Sequence, residues 1–380
     1  MARINYLSTI DFDHGAVEIL ENVLAELEMT RPLLVTDRGL VDNGLAGRVS
    51  ETMAKYPPAE VFDATPSNPT EQAVCDAAAI YRDAGCDGIV ALGGGSPIDL
   101  AKAAALMASH AGPLLQYAVN DSGSERITSA VPPIIAIPTT AGTGSEVGRA
   151  ALIVMGDGRK LGFISPHLLP RRVICDPDLT LGLPAGLTAA TGMDAVAHCI
   201  ETFLSPAVNP PADAIALDGL RRAMANIEIA VADGDNRDAR WQMMMAALQG
   251  GLCFQKGLGA VHALSHPLGA LREPVLHHGT LNAVLLPPVL RFNASAVPEK
   301  YDALRAALDI ASPGCSTTDP ADVIANLNER LGLPTRLGAM GVPEDVLPAI
   351  AKAGMLDHCT RTNPRAPTAA EYEALLHEAY

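Results

Sequence analysis

The sequence predicts an α/β fold in two parts, an N-terminal domain on a parallel sheet followed by an all-α domain. Three observations point there. At 380 residues the chain exceeds a comfortable single core. Short apolar runs alternate with helical patterns through the first half. After about residue 186 the apolar runs give way to helical spacing.

Each element follows from its own stretch. "PLLVTD" (32–37), "DGIVALGGG" (87–95), "PPIIAIPTT" (132–140) and "RVICDPDL" (172–179) read as strands. Between the first three lie Ala-rich helical patterns, "TEQAVCDAAAIYRDAG" (70–85) and "PIDLAKAAALMAS" (97–109). Beyond them, "LTAATGMDAVAHCIETFLS", "PADAIALDGLRRAMANIEIAVADG", "DARWQMMMAALQGGLCFQ", "DVIANLNERLGL" and "TAAEYEALLHEAY" keep helical apolar spacing. The Pro- and Gly-bearing stretch "LGLPAGLT" (181–188) sets the expected boundary, with domains at 1–185 and 186–380.

Composition narrows the function. A formal net charge of −16 argues against nucleic acid, because no basic stripe is available to neutralise phosphates. The seven cysteines form no CxxC pair and read as reduced thiols of a cytoplasmic protein. "MARINYLSTIDFDHG" lacks the basic and apolar regions of a signal peptide, and no apolar run is long enough to span a membrane.

Two glycine turns follow predicted strands. In "GIVALGGGSPIDLAKA" (88–103), Gly93, Gly94 and Gly95 remove side chains where a phosphate would need close backbone approach. Ser96 can cap the following helix, Pro97 suits its first turn, and its free N–H groups would favour an anion. A tight turn without a ligand explains the pattern as well. In "PTTAGTGSE" (138–146), Thr139, Thr140, Thr143 and Ser145 crowd a glycine turn, suited to a pyrophosphate, a ribose or merely a capped loop. Asp37 ends the strand "LLVTD", where a carboxylate can accept from a ribose and repel a 2′-phosphate, or simply close a turn.

The histidines are concentrated. Of ten, four lie in "GLGAVHALSHPLGALREPVLHHG" (257–279): His262, His266, His277 and His278. In "GMDAVAHCIE" (192–201), Asp194 and His198 stand four apart, on one helix face. Imidazoles with one carboxylate suit Fe2+ or Zn2+. His262 and His266 share the same spacing and are both candidates on geometry, although Pro267 could disturb their helix.

Taken in order, "GGGSPIDLAKA", "PTTAGTGSEV", "ATGMDAVAHCIE", "GLGAVHALSHPLGA…HHGTLNAVLLPPVLRFN" and "DHCTRTNPRAPT" resemble the iron-containing (group III) alcohol dehydrogenases over nearly the whole chain. The resemblance implies a dehydroquinate synthase-like fold, an α/β nucleotide-binding domain with a helical catalytic domain and a site in the cleft between them. It implies metal ligands Asp194, His198, His262 and His278, with Fe2+ preferred to Zn2+. It places His266 near substrate and nicotinamide as a proton-handling group, and His278 beside the chemistry. Cofactor contacts fall on Asp37, Asn68, Gly94, Gly95, Ser96, Asp99, Thr139, Thr140, Thr143 and Lys160, with Asp37 favouring NAD over NADP.

The implied reaction is reversible hydride transfer between an alcohol and its aldehyde or ketone, by a cytoplasmic homodimer acting on small molecules, not on nucleic acid or membrane. Glycerol dehydrogenase, maleylacetate reductase and a dehydroquinate synthase-like lyase are alternatives on the same fold, and a nucleotide-binding scaffold without chemistry is one from another class. The chain departs from the family pattern at the last ligand: the interval after His262 is longer and the motif reads "LHHG" rather than "PHG". The following glycine selects His278 over His277. Lys256 and Arg272 are candidates for attracting an anionic substrate, or are simply exposed charges.

Overall fold

The computed structural model describes residues 8–119, 122–311, 314 and 317–380. Cys315 and the first seven residues lie outside the described residues. The chain divides into two compact units: Tyr6–Thr140 with Ser145–Thr180, and Leu181–Tyr380 with Ala141–Gly144.

The first unit contains β1 (Thr9–Phe12), α1 (Leu20–Glu26), β2 (Pro32–Val35), α2 (Arg38–Asp42), α3 (Leu45–Glu51), β3 (Glu60–Phe62), α4 (Glu71–Asp83), β4 (Gly88–Gly93), α5 (Gly95–Ser109), β5 (Ile134–Pro138), β6 (Ala150–Val154), β7 (Lys160–Ile164) and β8 (Arg172–Cys175). Six strands form one parallel sheet in the order β1-β8-β5-β4-β2-β3, while β6 and β7 pair as an antiparallel ribbon. β2, β4 and β5 are buried along their full length, as a sheet covered on both faces requires.

Period two sorts their side chains. Leu33, Val35, Ile89, Ala91, Ile134 and Ala136 join the core that includes α4 and α5. Leu34, Val90, Leu92, Ile135 and Ile137 join the opposite core with α1 and α3. The strand order reverses between β2 and β4. In open α/β sheets, ligands bind beyond the carboxyl ends of the strands at such a switch point. Asp37 follows β2, and Gly94 follows β4.

The second unit is helical: α6 (Ala185–Leu204), α7 (Pro210–Ala232), α8 (Arg237–Cys253), α9 (Ala260–Gly269), α10 (His278–Ala294), α11 (Pro298–Ala311), α12 (Pro320–Arg330), α13 (Leu347–Leu356) and α14 (Ala369–Glu378). α6 is buried on every side from Thr188 to Leu204 and packs against α7, α8 and α10. A helix that is apolar all round belongs in a core, so any polar group on it is enclosed by protein. Asp194, His198 and Glu201 are such groups.

Candidate active site

The glycine turn after β4 is shaped by sterics. Gly93 has φ +149°, and a Cβ there would lie 2.5 Å from the Pro97 ring. Gly94 caps α5 without any side-chain hydrogen bond, and Gly95 opens the helix, so its first N–H groups stay available to an anion. The sequence-based expectation that Ser96 caps this helix is corrected. Ser96 lies inside α5, and its hydroxyl donates to the Ser67 carbonyl at 2.5 Å.

Thr139 and Thr140 line the neighbouring strand end. The Thr139 N–H donates to the Gly93 carbonyl at 3.0 Å, and the Thr140 side chain lies against Gly94. Lys160 Nζ donates to Asn68 Oδ1 at 3.0 Å. Asp37 accepts from Leu40 N–H at 3.0 Å, which starts α2. Thr143 belongs to the helical unit, through the segment Ala141–Gly144.

Asp99 is engaged within the protein. Oδ1 accepts from Ser145 Oγ at 2.5 Å, and Oδ2 from Leu152 N–H at 3.0 Å. Beside it, Lys102 is fully buried and surrounded by oxygen: Ser145 O at 2.6 Å, and Ser145 Oγ, Gly148 O and Ala150 O each at 2.9 Å. Burial pushes the Lys102 ammonium down to about 8, against the pull of Asp99 and Glu146. Burial likewise pushes the Glu146 carboxyl up to about 7. This cluster pins the loop after β5 to α5.

In the helical unit, α6 projects Asp194, His198 and Glu201 from one face, four and three residues apart. α9 supplies His262 and α10 its first residue, His278. The three Nε2 atoms stand at nearly equal distances from Asp194 Oδ1: His198 at 3.8 Å, His262 at 3.7 Å and His278 at 3.8 Å. His277, by contrast, is exposed. Gly279 explains the "HHG" pattern, since a Cβ there would lie 2.1 Å from the Ala190 carbonyl oxygen. Only glycine lets the start of α10 press this closely on the α6 backbone.

Two partners of these ligands lie outside the sequence-based expectations. Glu201 Oε2 lies 2.6 Å from His262 Nδ1, and its Oε1 accepts from Val261 N–H at 2.7 Å. Asn282, one turn after His278, donates from Nδ2 to Asp194 Oδ1 at 2.7 Å. Both were visible in sequence as helical-spacing neighbours of named residues.

Electrostatics separate the imidazoles. Burial depresses His198 to about 4 despite the carboxylate of Asp194. Burial also opposes charge on His262, but hydrogen bonds and charge from Asp194 and Glu201 outweigh it and push the ring up to about 9. For Asp194, burial is outweighed by His198, His278 and His262, which hold the carboxyl far below the usual range.

His266 lies on α9 as the spacing predicts, with Pro267 accommodated inside that helix. Its Nδ1 faces Asp357 Oδ2 at 2.8 Å, and its ring stacks on His278 at 5.6 Å and on His358 at 6.0 Å between centroids. His266 Nε2 is buried and has no hydrogen-bond partner among the described residues. Thus His262 meets Asp194 from this helix, whereas His266 is held by Asp357.

Lys256 is not an exposed charge. It is buried, donates to the carbonyls of Thr202 at 2.9 Å and Phe203 at 3.3 Å, and pairs closely with Asp213. Its ammonium closes the C-terminal end of α6. Arg272 is exposed.

The donor set fits a divalent ion. Donors at about 2.0–2.2 Å from an ion in a tetrahedron stand roughly 3.3–3.6 Å from one another. The observed 3.7–3.8 Å separations from Asp194 Oδ1 need only a few tenths of adjustment, and the donor atoms of Asp194, His262 and His278 lie within 4.8 Å of one another, a group that His198 joins only through Asp194. Three nitrogens with one carboxylate oxygen are ligands that Fe2+ and Zn2+ accept, and Glu201 behind His262 is the carboxylate–histidine arrangement that metal sites use. Buried polar atoms without partners, His266 Nε2 and Asn282 Oδ1, flank the same centre.

Fold and site together define a class: a dinucleotide-type α/β unit in one chain with a helical unit that holds an imidazole–carboxylate centre. Comparison with known proteins gives the family. Iron-containing alcohol dehydrogenase matches residues 8–177, and the C-terminal region of the Fe-containing alcohol dehydrogenase family matches residues 188–380. A 4-hydroxybutyrate dehydrogenase of Cupriavidus necator is 55% identical over 386 residues, covering 100% of both chains. The crystal structure of a 1,3-propanediol oxidoreductase superposes with a TM-score of 0.92 at 36% identity, covering 100% of both chains. A sulfoacetaldehyde reductase from Bifidobacterium kashiwanohense, solved in complex with NAD+, gives a TM-score of 0.88 at 28% identity, covering 100% of this chain and 98% of that one. The chain belongs to the iron-containing alcohol dehydrogenase family and is an NAD-linked oxidoreductase acting on CH–OH groups.

Proposed function

We propose that this chain is a dehydrogenase of 4-hydroxybutyrate, oxidising its terminal alcohol reversibly to the aldehyde. One observation carries the chemistry: two buried imidazoles and a half-buried third face a single carboxylate oxygen at 3.7–3.8 Å. The full-length likeness to a 4-hydroxybutyrate dehydrogenase supports the substrate. Asp194, His198, His262 and His278 would hold one Fe2+, with Zn2+ as the alternative. Bound there, the ion would supply Lewis acidity toward the alcohol oxygen, and NAD would supply the hydride acceptor.

The chain's own residues do the rest. Glu201 keeps His262 oriented with Nε2 toward the centre. Asp357 orients His266, whose unpartnered Nε2 is the group placed to take and return the alcohol proton. Asp37, Asn68, Gly94, Gly95, Ser96, Asp99, Thr139, Thr140, Thr143 and Lys160 make the cofactor region. Asp99 acts within it by fixing Ser145. Asp37 favours NAD over NADP. We read the enzyme as a cytoplasmic homodimer.

The test is NADH formation at the nicotinamide absorbance with 4-hydroxybutyrate, 1-butanol and 1,3-propanediol, using NAD and NADP, after loading with Fe2+ or Zn2+. The reading expects 4-hydroxybutyrate with NAD to give the highest kcat/KM. Preference for an uncharged alcohol would overturn the substrate while leaving the dehydrogenase intact.

A further inference from the structure

Asn282 is fully buried on α10. Its Nδ2 lies 2.7 Å from Asp194 Oδ1 and 3.2 Å from both His262 Nε2 and His278 Nε2. One amide nitrogen therefore touches three of the four assigned ligands.

An ionised carboxylate only accepts, so the NH2 end of the amide must face Asp194. Its two hydrogens then serve three acceptors. The short bond to Asp194 takes one, and the two imidazole nitrogens compete for the other.

For His262 the other edge is closed as well, because Nδ1 meets Glu201 at 2.6 Å. Meanwhile Asn282 Oδ1 is buried with no partner among the described residues. Such an acceptor costs free energy, so the amide is not explained by packing; its donor end alone is used.

We propose that Asn282 is a positioning residue of the metal centre. Its amide donates to Asp194 Oδ1 at 2.7 Å and aims the oxygen that the three imidazoles face, and it thereby sets how tightly the ion is held. This rests on the ligand set assigned under the proposed function.

The experiment measures the Zn2+ dissociation constant by competition with a chelator, on full-length wild type, Asn282→Leu, Asn282→Asp and His262→Ala, with thermal unfolding followed in excess chelator. Leu and Asp remove the donor at near-constant size. Each is expected to weaken Zn2+ about 10–100-fold while unfolding in chelator stays near wild type. Asn282→Ser, which keeps one donor, serves if the leucine variant does not fold, and it too is expected to bind more weakly than wild type. Wild-type affinity in the leucine or serine variant would overturn the proposal. So would tighter binding by the aspartate variant, which would make position 282 a ligand rather than a donor behind the ligands. Retention of Zn2+ by His262→Ala would instead overturn the ligand set itself. Loss of metal there, with retention in Asn282→Leu, would sink the Asn282 role alone.

Discussion

Two of the polar clusters that the molecule buries are finished differently. Around Lys102, the ammonium meets four oxygens, and both oxygens of Asp99 are used. Around Asp194, donors converge without completing one another, and Asn282 Oδ1 and His266 Nε2 are left over. Buried polar groups normally find partners because leaving them bare is costly. A complete cluster is explained by the fold alone. An incomplete one indicates that something outside the chain finishes it.

The largest expected effect breaks the second cluster. His262→Ala should lose the metal and at least ~100-fold of dehydrogenase activity together, read by metal analysis beside NADH formation. Full metal content with full turnover would remove His262 from the ligand set.

Lys102→Met attacks the first cluster and should behave in the opposite way. It strands four buried oxygens, at a cost of about 3–5 kcal/mol of unfolding free energy, while the folded fraction keeps its metal. Denaturant unfolding with metal analysis checks both halves. Loss of metal at unchanged stability would erase the distinction between the clusters.

Glu201→Gln sharpens the comparison from behind a ligand. It leaves the shape of the His262 contact but removes the charge, and should weaken metal binding about 10-fold or more. Chelator competition reads it; unchanged affinity would mean that the charge of Glu201 is idle.

A further effect is a pH slope from the first cluster. Glu146 is held near 7 when folded against an ordinary 4.5. Between those values the unfolded chain binds fewer protons than the native one, so this group's contribution to stability falls as pH rises from about 4.5 to about 7. Glu146→Gln should flatten that part of the profile, measured by denaturant unfolding from pH 5 to 7.5. A slope identical to wild type would assign it to other groups.

The strands at the centre of the sheet were legible because burial on both faces writes an unbroken apolar run, as in "IVAL". β1 and β3 were not, since they lie at the sheet edges with mixed polarity, as "TIDF" and "EVF" show. Within the site, Asp194 and His198 were legible through helical spacing, and Glu201 and Asn282 stood on the same faces unread. Asp357 could not be reached in that way. It meets His266 from 91 positions away, and no local period encodes such a pairing. The opposite fates of His262 and His266, four apart on α9, also depend on what the fold sets opposite each ring.

Gly279 carries a consequence for how the centre comes into being. Asn282 and Asp194 lie 88 positions apart, so half the centre is synthesised well before the other half exists. Until the start of α10 seats against Ala190, Asp194 and His198 are two donors on a helix with no reason to hold an ion firmly. A methyl group at 279 would stall that seating, making a residue with no side chain the checkpoint for assembly. An ion captured afterwards works as a rivet between segments made far apart in time. Its removal should loosen α10 from α6 as well as silence the chemistry, and amide exchange near Leu281 should record it.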